Sequence, residues 1–263
     1  MKPSLTIIKV GGAVVEDEAQ PTQLLRDFTA IQGPKILVHG GGRRATKIAE
    51  RLGIETKMID GRHITDADML EVVTMVYGGL VNKNVVARLQ ALGCNAIGLT
   101  GADANILLSQ KRPLKMVNGE PVDYGFVGDV KQASGSKIAH FIDANLIPVI
   151  APLTHDGQGH MLNTNADTMA SETAKAMAAV GYDVTLIYAF EKPGVLRDAD
   201  DDNSVIATIN HADFETYKAD GTISGGMLPK IENALAAIDA GVKRVIITKA
   251  TAIDGQHGTV ITK

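Results

Sequence analysis

Residues 35–45, with the sequence KILVHGGGRRA, join a β-branched, apolar run to three consecutive glycines and two arginines. This pattern predicts a β-strand that leads through a glycine turn into the first turn of a helix. Such a turn presents several backbone N–H groups at the positive end of the helix dipole. The stretch therefore predicts an α/β protein with an anion-binding site at the end of a strand.

Five further runs rich in Val, Ile and Leu resemble this strand, and helical patterns separate most of them. Strands that alternate with helices predict a mostly parallel sheet covered by helices on both faces. Residues 105–130 depart from the alternation and predict an antiparallel flap at an edge, with a hairpin turn at Asn118-Gly119. The predicted strands begin at Leu5, Lys35, Asn95, Ile147, Asp183 and Arg244, and the predicted helices cover 19–31, 43–52, 66–92 with a break at Gly78-Gly79, 136–145, 166–180 and 226–240.

The composition limits the partners that this chain can have. It has 263 residues with a net charge of −4, and its 26 basic residues are scattered, so no nucleic-acid surface is expected. The longest uncharged run, 89–102, is shorter than the roughly 20 apolar residues that span a bilayer. Cys94 is the only cysteine, which excludes an intramolecular disulfide and fits a reducing compartment. We expect a cytoplasmic protein without nucleic-acid or membrane partners.

The nature of the anion is open on the glycine stretch alone. Residues 40–45 satisfy G-x-G-x-x-A, so a dinucleotide-binding oxidoreductase competes, with Asp60 at a suitable distance for a ribose contact. Hydride transfer does not explain Lys9, which lies just inside the Gly11-Gly12 turn of the first strand. The dipeptide Gly-Lys is absent, which excludes a P-loop, and the absence of G-x-S-x-G argues against a serine hydrolase.

Two glycine turns combined with lysines favour phosphoryl transfer, in which catalysis is mainly positioning and electrostatic stabilisation. An acceptor carboxylate is already ionised at neutral pH and needs no general base. Because the carboxylate must approach an anionic phosphate, cations have to hold the two together. We predict that Lys9 and Lys230 do so, and that Asp167 holds their ammonium groups in place.

Seven segments, in order and over essentially the whole chain, resemble the amino-acid kinase family. The resemblance implies a three-layer αβα sandwich around a mainly parallel sheet, in which residues 1–180 bind an N-acyl-L-glutamate and residues 181–263 bind ATP. It also implies that ATP, carrying Mg²⁺, phosphorylates the side-chain carboxylate of N-acetyl-L-glutamate in arginine biosynthesis, without a metal site built by the protein. The segments are IIKVGG (7–12), VHGGGRRA (38–45), DGRHIT (60–65), GFVGDV (125–130), LNTNADTMA (162–170), GGMLPKIENA (225–234) and GTVI (258–261).

The resemblance implies catalytic roles for individual residues. Lys9 contacts the transferring phosphoryl group, and Lys230 contacts the ATP phosphates and the leaving oxygen. Asp167 organises both lysines, in agreement with the roles inferred from charge alone. The glycines implied to donate N–H groups to the transition state are Gly11, Gly12, Gly41 and Gly42.

The resemblance implies that Arg62 binds the α-carboxylate of the substrate, since a guanidinium suits bidentate pairing, and that Asn163 and the Asn165 region hold its main-chain part. The chain departs from the family at Ala189-Phe190, where a Ser/Thr-Asp pair is common. Residues 190–196, FEKPGVL, resemble a bacterial branch in which succinylated intermediates occur, so N-succinyl-L-glutamate remains an alternative substrate. A non-catalytic amino-acid sensor is a further alternative, although it would not need both lysines and Asp167.

The resemblance also bears on assembly. Arginine-inhibited hexamers of the family carry an extra helix ahead of the first strand, and such a helix needs about 8 to 20 residues. Here four residues precede the strand that begins at Leu5. We therefore expect a homodimer that is insensitive to arginine, formed through apolar helix surface within residues 66–92.

Overall fold

A computed structural model of the chain describes residues 2–11, 20–59, 62–117 and 119–263, so Gly12, Asp60 and Asn118 lie outside the described residues. Strands and helices alternate along most of the described chain, as expected. The α-helices are Gln20–Ala30 (α1), Gly42–Arg51 (α2), Ala67–Val73 (α3), Asn82–Ala91 (α4), Gly135–Asp143 (α5), Ala166–Ala179 (α6), His211–Ala219 (α7) and Leu228–Asp239 (α8).

The strands form one large sheet and several smaller ones. The large sheet has eight strands in the order β14-β16-β15-β13-β1-β2-β10-β5, and all neighbours in it are parallel except β15 and β16. In chain order the strands are Ser4–Val10 (β1), Lys35–His39 (β2), Met58–Ile59 (β3), Arg62–His63 (β4), Ala96–Leu99 (β5), Leu107–Lys111 (β6), Lys115–Val117 (β7), Glu120–Val122 (β8), Gly128–Ala133 (β9), Ile147–Ile150 (β10), Leu153–His155 (β11), Met161–Asn163 (β12), Asp183–Phe190 (β13), Thr208–Ile209 (β14), Arg244–Lys249 (β15) and Thr259–Ile261 (β16).

Side chains of the large sheet alternate between two apolar cores, one on each face. Ile7 of β1 packs in the core beneath α6 and α8, whereas Ile8 packs in the core beneath α1 to α4. Lys9 follows Ile7 at a spacing of two residues and therefore faces α6 and α8. The sheet with helix layers on both faces confirms the predicted three-layer αβα class.

A second sheet of four strands, in the order β12-β11-β6-β9, stands beside the large one. Residues 105–130 supply β6, the start of β9 and the short antiparallel hairpin β7–β8, which turns at Gly119 with φ +87°. The predicted antiparallel strands are therefore present. They do not extend an edge of the large sheet; in this separate sheet β9 is an edge strand, whereas β6 is internal because it also pairs with β11.

The predicted helix over 66–92 forms, but the predicted break at Gly78-Gly79 is wrong. A π-helical segment, Thr74–Val81, connects α3 directly to α4 and contains both glycines. The wider turn keeps the helix continuous, where two adjacent glycines favour an interruption. This segment carries Tyr77, whose ring reaches the glycine turn after β2.

Within the described residues, no helix is both long enough and apolar enough to cross a membrane.

Candidate active site

The carboxyl ends of the adjacent strands β13, β1 and β2 meet at one edge of the large sheet and open into a cavity of about 500 Å³, called here the lysine cavity. Parallel sheets bind ligands at this edge. The cavity brings together predicted residues that are distant in sequence. Its lining residues are Lys9, Gly11, Gly42, Arg43, Asp167, Phe190, Glu191, Lys192, Gly194, Met227 and Lys230.

Lys9 and Asp167 form an almost buried ion pair in this cavity, with Lys9 Nζ 2.7 Å from Asp167 Oδ1 and side-chain exposures of 9% and 11%. Lys230 enters from α8, whose start carries Pro229 in the first turn and follows the Gly225–Met227 3₁₀ turn. Burial lowers the pKa of Lys230, Asp167 raises it in opposition, and Lys9 lowers it further. Asp167 thus pairs with Lys9 and acts on Lys230 through its charge, so one carboxylate faces two ammonium groups and leaves an excess of positive charge for an anion.

The start of α6 fixes the position of Asp167. Asn165 is the N-cap, and its side-chain Oδ1 accepts hydrogen bonds from the backbone N–H groups of Asp167 and Thr168. The Tyr188 hydroxyl donates to the Asp167 carbonyl at 3.3 Å. Asp167 is therefore held both by the helix cap and by the central strand β13.

The glycine turn after β2 packs against the π-helical segment. A Cβ on Gly41 would lie 2.6 Å from Tyr77 Cδ1, so only glycine fits beneath the ring. α2 begins at Gly42, and the first backbone bond of the helix runs from the Ala45 N–H to the Gly41 carbonyl. The N–H groups of the first helical turn have no acceptor within the helix, so the turn is suited to an anion.

A buried pair of polar side chains, His39 and Asn82, contacts the same turn through hydrogen bonds. His39 Nδ1 lies 2.8 Å from the Gly40 carbonyl, and His39 Nε2 lies 3.1 Å from Asn82 Nδ2, which also donates to the Val149 carbonyl. Because the Asn82 amide nitrogen is a donor, Nε2 accepts and Nδ1 carries the proton. Burial lowers the pKa of His39 to about 4, which keeps the ring neutral.

A second cavity of about 210 Å³, called here the amide cavity, lies on the other side of the glycine turn. Asn163 lines it and donates from Nδ2 to Thr65 Oγ1 at 3.0 Å. Gly42 lines both cavities and marks their junction. The amide cavity is lined by Gly40, Gly41, Gly42, Tyr77, Arg112, Val127, Pro152, Asn163, Thr164, Asn165 and Ala166.

A third, smaller cavity of about 170 Å³ extends the lysine cavity and shares Lys192, Gly194 and Met227 with it. Its other lining residues are mostly apolar or small and come from 195–199 and 222–224. The three cavities are therefore neighbours along the same edge of the sheet. The polar loop after β13 supplies part of the wall of the lysine cavity, a ligand role that the sequence left open.

Apart from Arg62, the predicted site residues within the described part of the chain line the lysine cavity, the amide cavity or both. Lys9, Gly11, Asp167 and Lys230 line the lysine cavity, Gly41 and Asn163 line the amide cavity, and Gly42 lines both. Arg62 has its backbone in β4, and its side chain is outside the described part of the chain; Gly12 lies outside it entirely.

The cavity residues that were not predicted as site residues include Tyr77, Arg112 and Phe190. Phe190 is two residues after Tyr188, which pairs with Lys9 in register, so strand alternation places its side chain on the same face as Lys9. That alternation was a usable signal. Tyr77 reaches the amide cavity from a π-helical segment, and Arg112 reaches it from the connection that directly follows β6, which no local pattern predicts.

The fold and its cavities define an α/β protein with two neighbouring polar cavities at the carboxyl edge of a parallel sheet. A model of the amino acid kinase family matches residues 4–249, and the chain belongs to that family, which confirms the resemblance drawn from the seven segments.

Relatives of known name cover the whole chain. The chain is 63% identical over 263 residues to acetylglutamate kinase of Bacteroides thetaiotaomicron, covering 100% of both chains. It is 38% identical over 257 residues to acetylglutamate kinase of Methanopyrus kandleri, covering 98% of this chain and 100% of the relative. Among solved structures, smu.665 from Streptococcus mutans UA159 superposes with a TM-score of 0.79 at 28% identity, covering 98% of each chain.

Proposed function

We propose that the protein transfers the γ-phosphoryl group of ATP to the side-chain carboxylate of N-acetyl-L-glutamate, giving an acyl phosphate and ADP in arginine biosynthesis. Relatives 62–63% identical over the full chain carry the name acetylglutamate kinase. The observation that carries the proposal is the meeting of Lys9, Asp167 and Lys230 in a cavity that joins a second, amide-lined cavity at Gly42.

In the proposed reaction, a carboxylate oxygen attacks the γ-phosphorus, and the bond from that phosphorus to the β,γ-bridging oxygen breaks. The carboxylate is ionised at neutral pH, so no residue has to act as a base. The obstacle is the repulsion between two anions, which a net positive cluster reduces. Lys9 neutralises the moving phosphoryl group, Lys230 neutralises the β- and γ-phosphates and the leaving oxygen, and Asp167 orients both.

The glycine turns supply the remaining donors. We assign the backbone N–H groups of Gly11, Gly12, Gly41 and Gly42 to the oxygens of the transferring group. Gly42 is the residue that lines both cavities, where an acceptor on one side would meet the γ-phosphate on the other. The missing Cβ atoms let the backbone approach these oxygens closely.

We place the N-acyl-L-glutamate in the amide cavity. Asn163 has an amide there that is already oriented by Thr65, which suits the main-chain part of the substrate. Arg62 is assigned to its α-carboxylate, because a guanidinium can pair with both carboxylate oxygens.

We place ATP, with its Mg²⁺, in the lysine cavity and the small cavity that extends it. The phosphates face Lys9 and Lys230, and the nucleoside occupies the more apolar end near residues 222–224. Residues 1–180 then form the acylglutamate half and residues 181–263 the ATP half of the site. One continuous sheet joins the two halves, since β1 and β13 pair along their length.

A second candidate substrate, N-succinyl-L-glutamate, is favoured by Arg112. Its guanidinium lines the amide cavity with a side-chain exposure of 14%, and it donates to Asp129 Oδ1 from Nε at 3.0 Å and from Nη2 at 2.6 Å. An acetyl group offers a guanidinium no charge, whereas a succinyl group ends in a carboxylate that complements it.

The proposed function is tested by coupling ADP release to a spectroscopic signal with four acceptors, N-acetyl-L-glutamate, N-succinyl-L-glutamate, glutamate and aspartate, and with a control that contains no acceptor. We expect release with at least one N-acylglutamate and only background release with the free amino acids. Release that is equal with and without acceptors, or oxidation of added NAD(P)H in place of ADP release, would refute the proposal.

Arg112→Ala separates the two acyl groups. If Arg112 binds the carboxylate of the succinyl group, the variant should lower kcat/KM for N-succinyl-L-glutamate about tenfold or more, as expected for the loss of one charged contact. The kcat/KM for N-acetyl-L-glutamate should change little. Lys111→Ala is the matched control, because this neighbour forms an exposed ion pair with Asp123. Equal losses for both acyl groups in Arg112→Ala would exclude the role.

For assembly, we propose a cytoplasmic homodimer formed through the helix that runs from α3 to α4. Met75 and Leu80 on this helix are 55% and 39% exposed, which suits a contact surface. Sedimentation of Met75→Glu should detect dissociation of a dimer, with Leu52→Glu as the control at another exposed apolar residue. A wild-type chain that sediments as a monomer would refute this proposal.

A further inference from the structure

The ring of Phe190 lines the lysine cavity and lies close to both of its lysines, Lys9 and Lys230. Lys230 Nζ is 4.0 Å from the ring centroid, and Lys9 Nζ is 5.3 Å from it. Both distances are within the roughly 6 Å over which an ammonium group is attracted to an aromatic face. A single ring therefore contacts both cations to which the proposed mechanism assigns the phosphates.

The charges around Lys230 explain why such a ring is useful. Two ammonium groups compete for Asp167, whose Oδ1 is paired with Lys9 at 2.7 Å. Glu191, at the mouth, raises the pKa of Lys230 least among the groups that act on it, and its Oε1 lies 3.3 Å from Arg43 Nη2. The negative face of a ring offsets part of the remaining positive charge.

A ring also leaves the ammonium groups available. It attracts a cation without accepting conventional hydrogen bonds, so the N–H groups stay free to turn toward phosphate oxygens. A second carboxylate in the same place would bind the ammonium groups directly and would repel an incoming phosphate. The aromatic face is thus compatible with an anion-binding cavity.

Phe190 is itself held in place. Its ring stacks on Tyr188 with a centroid distance of 6.1 Å and an interplanar angle of 9°. Tyr188 is fully buried, and its hydroxyl donates to the carbonyl of Asp167. The ring that contacts the lysines and the residue that pairs with Lys9 are therefore fixed to the same strand.

We propose that Phe190 is a positioning residue, whose ring face holds the ammonium groups of Lys9 and Lys230 toward the transferring phosphoryl group. This inference rests on the proposed function of the two lysines. The stabilisation that one cation–π contact usually gives an ammonium group corresponds to about a 2- to 30-fold change in rate.

The test compares Phe190→Leu, which removes the ring, with Phe190→Tyr, which keeps it. We expect Phe190→Leu to lower kcat about tenfold and to leave KM for the acylglutamate nearly unchanged, because the lysines act on the phosphoryl group. Phe190→Tyr should keep kcat within about threefold, since its ring face is similar. Phe214→Leu is the matched control. Lys218 Nζ lies 5.6 Å from the centroid of that ring, and neither residue lines the lysine cavity.

The pH dependence of kcat gives a readout that simple packing would not change. Loss of the ring removes stabilisation of the charged form of Lys230. The alkaline limb of the pH profile of kcat should therefore move to lower pH in Phe190→Leu. The charged groups that face Lys230 in the cavity remain in every variant, so they cannot cause that difference; they are Lys9 of β1, Asp167 of α6, Arg43 of α2, and Glu191 and Lys192 after β13.

A fluorination series avoids the question of folding. Replacing Phe190 with mono-, di- and trifluorophenylalanine weakens the ring face while nearly preserving its shape, and kcat should fall stepwise. A kcat that does not change with fluorination, or an equal loss in Phe190→Leu and Phe190→Tyr, would overturn the positioning role. In either case a wild-type enzyme that releases ADP with an N-acylglutamate keeps the proposed function, whereas a wild-type enzyme that does not refutes both.

Discussion

Lys9 and Lys35 lie on adjacent parallel strands, and both are almost buried, with 7% and 8% of their surface exposed. Lys9, near the carboxyl end of β1, pairs with the carboxylate of Asp167. Lys35, at the amino end of β2, donates to the carbonyls of Thr29 and Ile31 at the end of α1, at 2.8 Å each. One lysine has an ionic partner in an open cavity, and the other completes a helix terminus.

Burial of a lysine therefore does not by itself identify a functional site. Burial lowers the pKa of Lys35 as it lowers that of Lys230. Carbonyl partners satisfy the donors of Lys35 and leave no net site for an anion, which is the role of a basic residue at a helix C-terminus. Lys9 and Lys230 share one carboxylate beside glycine turns. The partners and the cavity, more than the exposure, distinguish a catalytic lysine from a structural one.

The largest expected effect on activity is at the carboxyl ends of the strands, where Lys9 and Lys230 line the lysine cavity. Lys9→Arg and Lys230→Arg should each lower kcat about 100-fold or more, because a broad guanidinium cannot replace a point charge at a crowded phosphoryl group. Binding of the acylglutamate, measured by calorimetry, should change little. Near-wild-type kcat in both variants would remove the two-lysine mechanism.

A smaller effect is expected from the titration of His39. Its folded pKa of about 4 lies below the unfolded value of about 6.5, so the unfolded state binds the proton first and stability falls as pH drops from about 6.5 toward 4. Between pH 7 and pH 5 the free energy of unfolding should fall by about 2 kcal/mol more in the wild type than in His39→Gln. Denaturant unfolding at both pH values measures this. Parallel pH profiles for the two proteins would show that His39 is not held neutral.

Gly41→Ala tests the glycine turn beneath Tyr77. A Cβ 2.6 Å from Tyr77 Cδ1 must displace the ring or the turn, so kcat should fall about tenfold while the fold is retained. Gly79→Ala is the control, because no atom lies within 4 Å of a Cβ at that glycine. If Gly41→Ala were as active as Gly79→Ala, close packing at the turn would not matter for catalysis.

The smallest effect on activity is expected for Lys35, at the amino end of β2. Lys35→Met should lower the free energy of unfolding by about 1 kcal/mol, because two carbonyls at the end of α1 lose their donor. Its kcat, measured at saturating substrates, should stay within about twofold of the wild type. A large loss of kcat with unchanged stability would mean that the contrast between the two lysines is wrong.

The sequence predicted the parts of the fold that follow from local patterns. All six predicted strands are in the large sheet, because apolar runs between helices leave few other arrangements. The meeting of Lys9 with Asp167 was predictable from charge and from the glycine turns. The π-helical segment was missed, since adjacent glycines usually interrupt a helix, and the contact between Tyr77 and Gly41 depends on that segment. Arg112 was missed because it directly follows β6 of a separate sheet, whose placement depends on tertiary packing.

The product of the proposed reaction can be trapped chemically. An acyl phosphate reacts with hydroxylamine to give a hydroxamate, so the wild type incubated with ATP, Mg²⁺ and the preferred N-acyl-L-glutamate should form one hydroxamate for each ADP released. Lys35→Met should retain this yield and rate, whereas Lys9→Arg should lose most of the rate. ADP release without hydroxamate, or equal rates in Lys9→Arg and the wild type, would contradict phosphoryl transfer to a carboxylate at the lysine cavity.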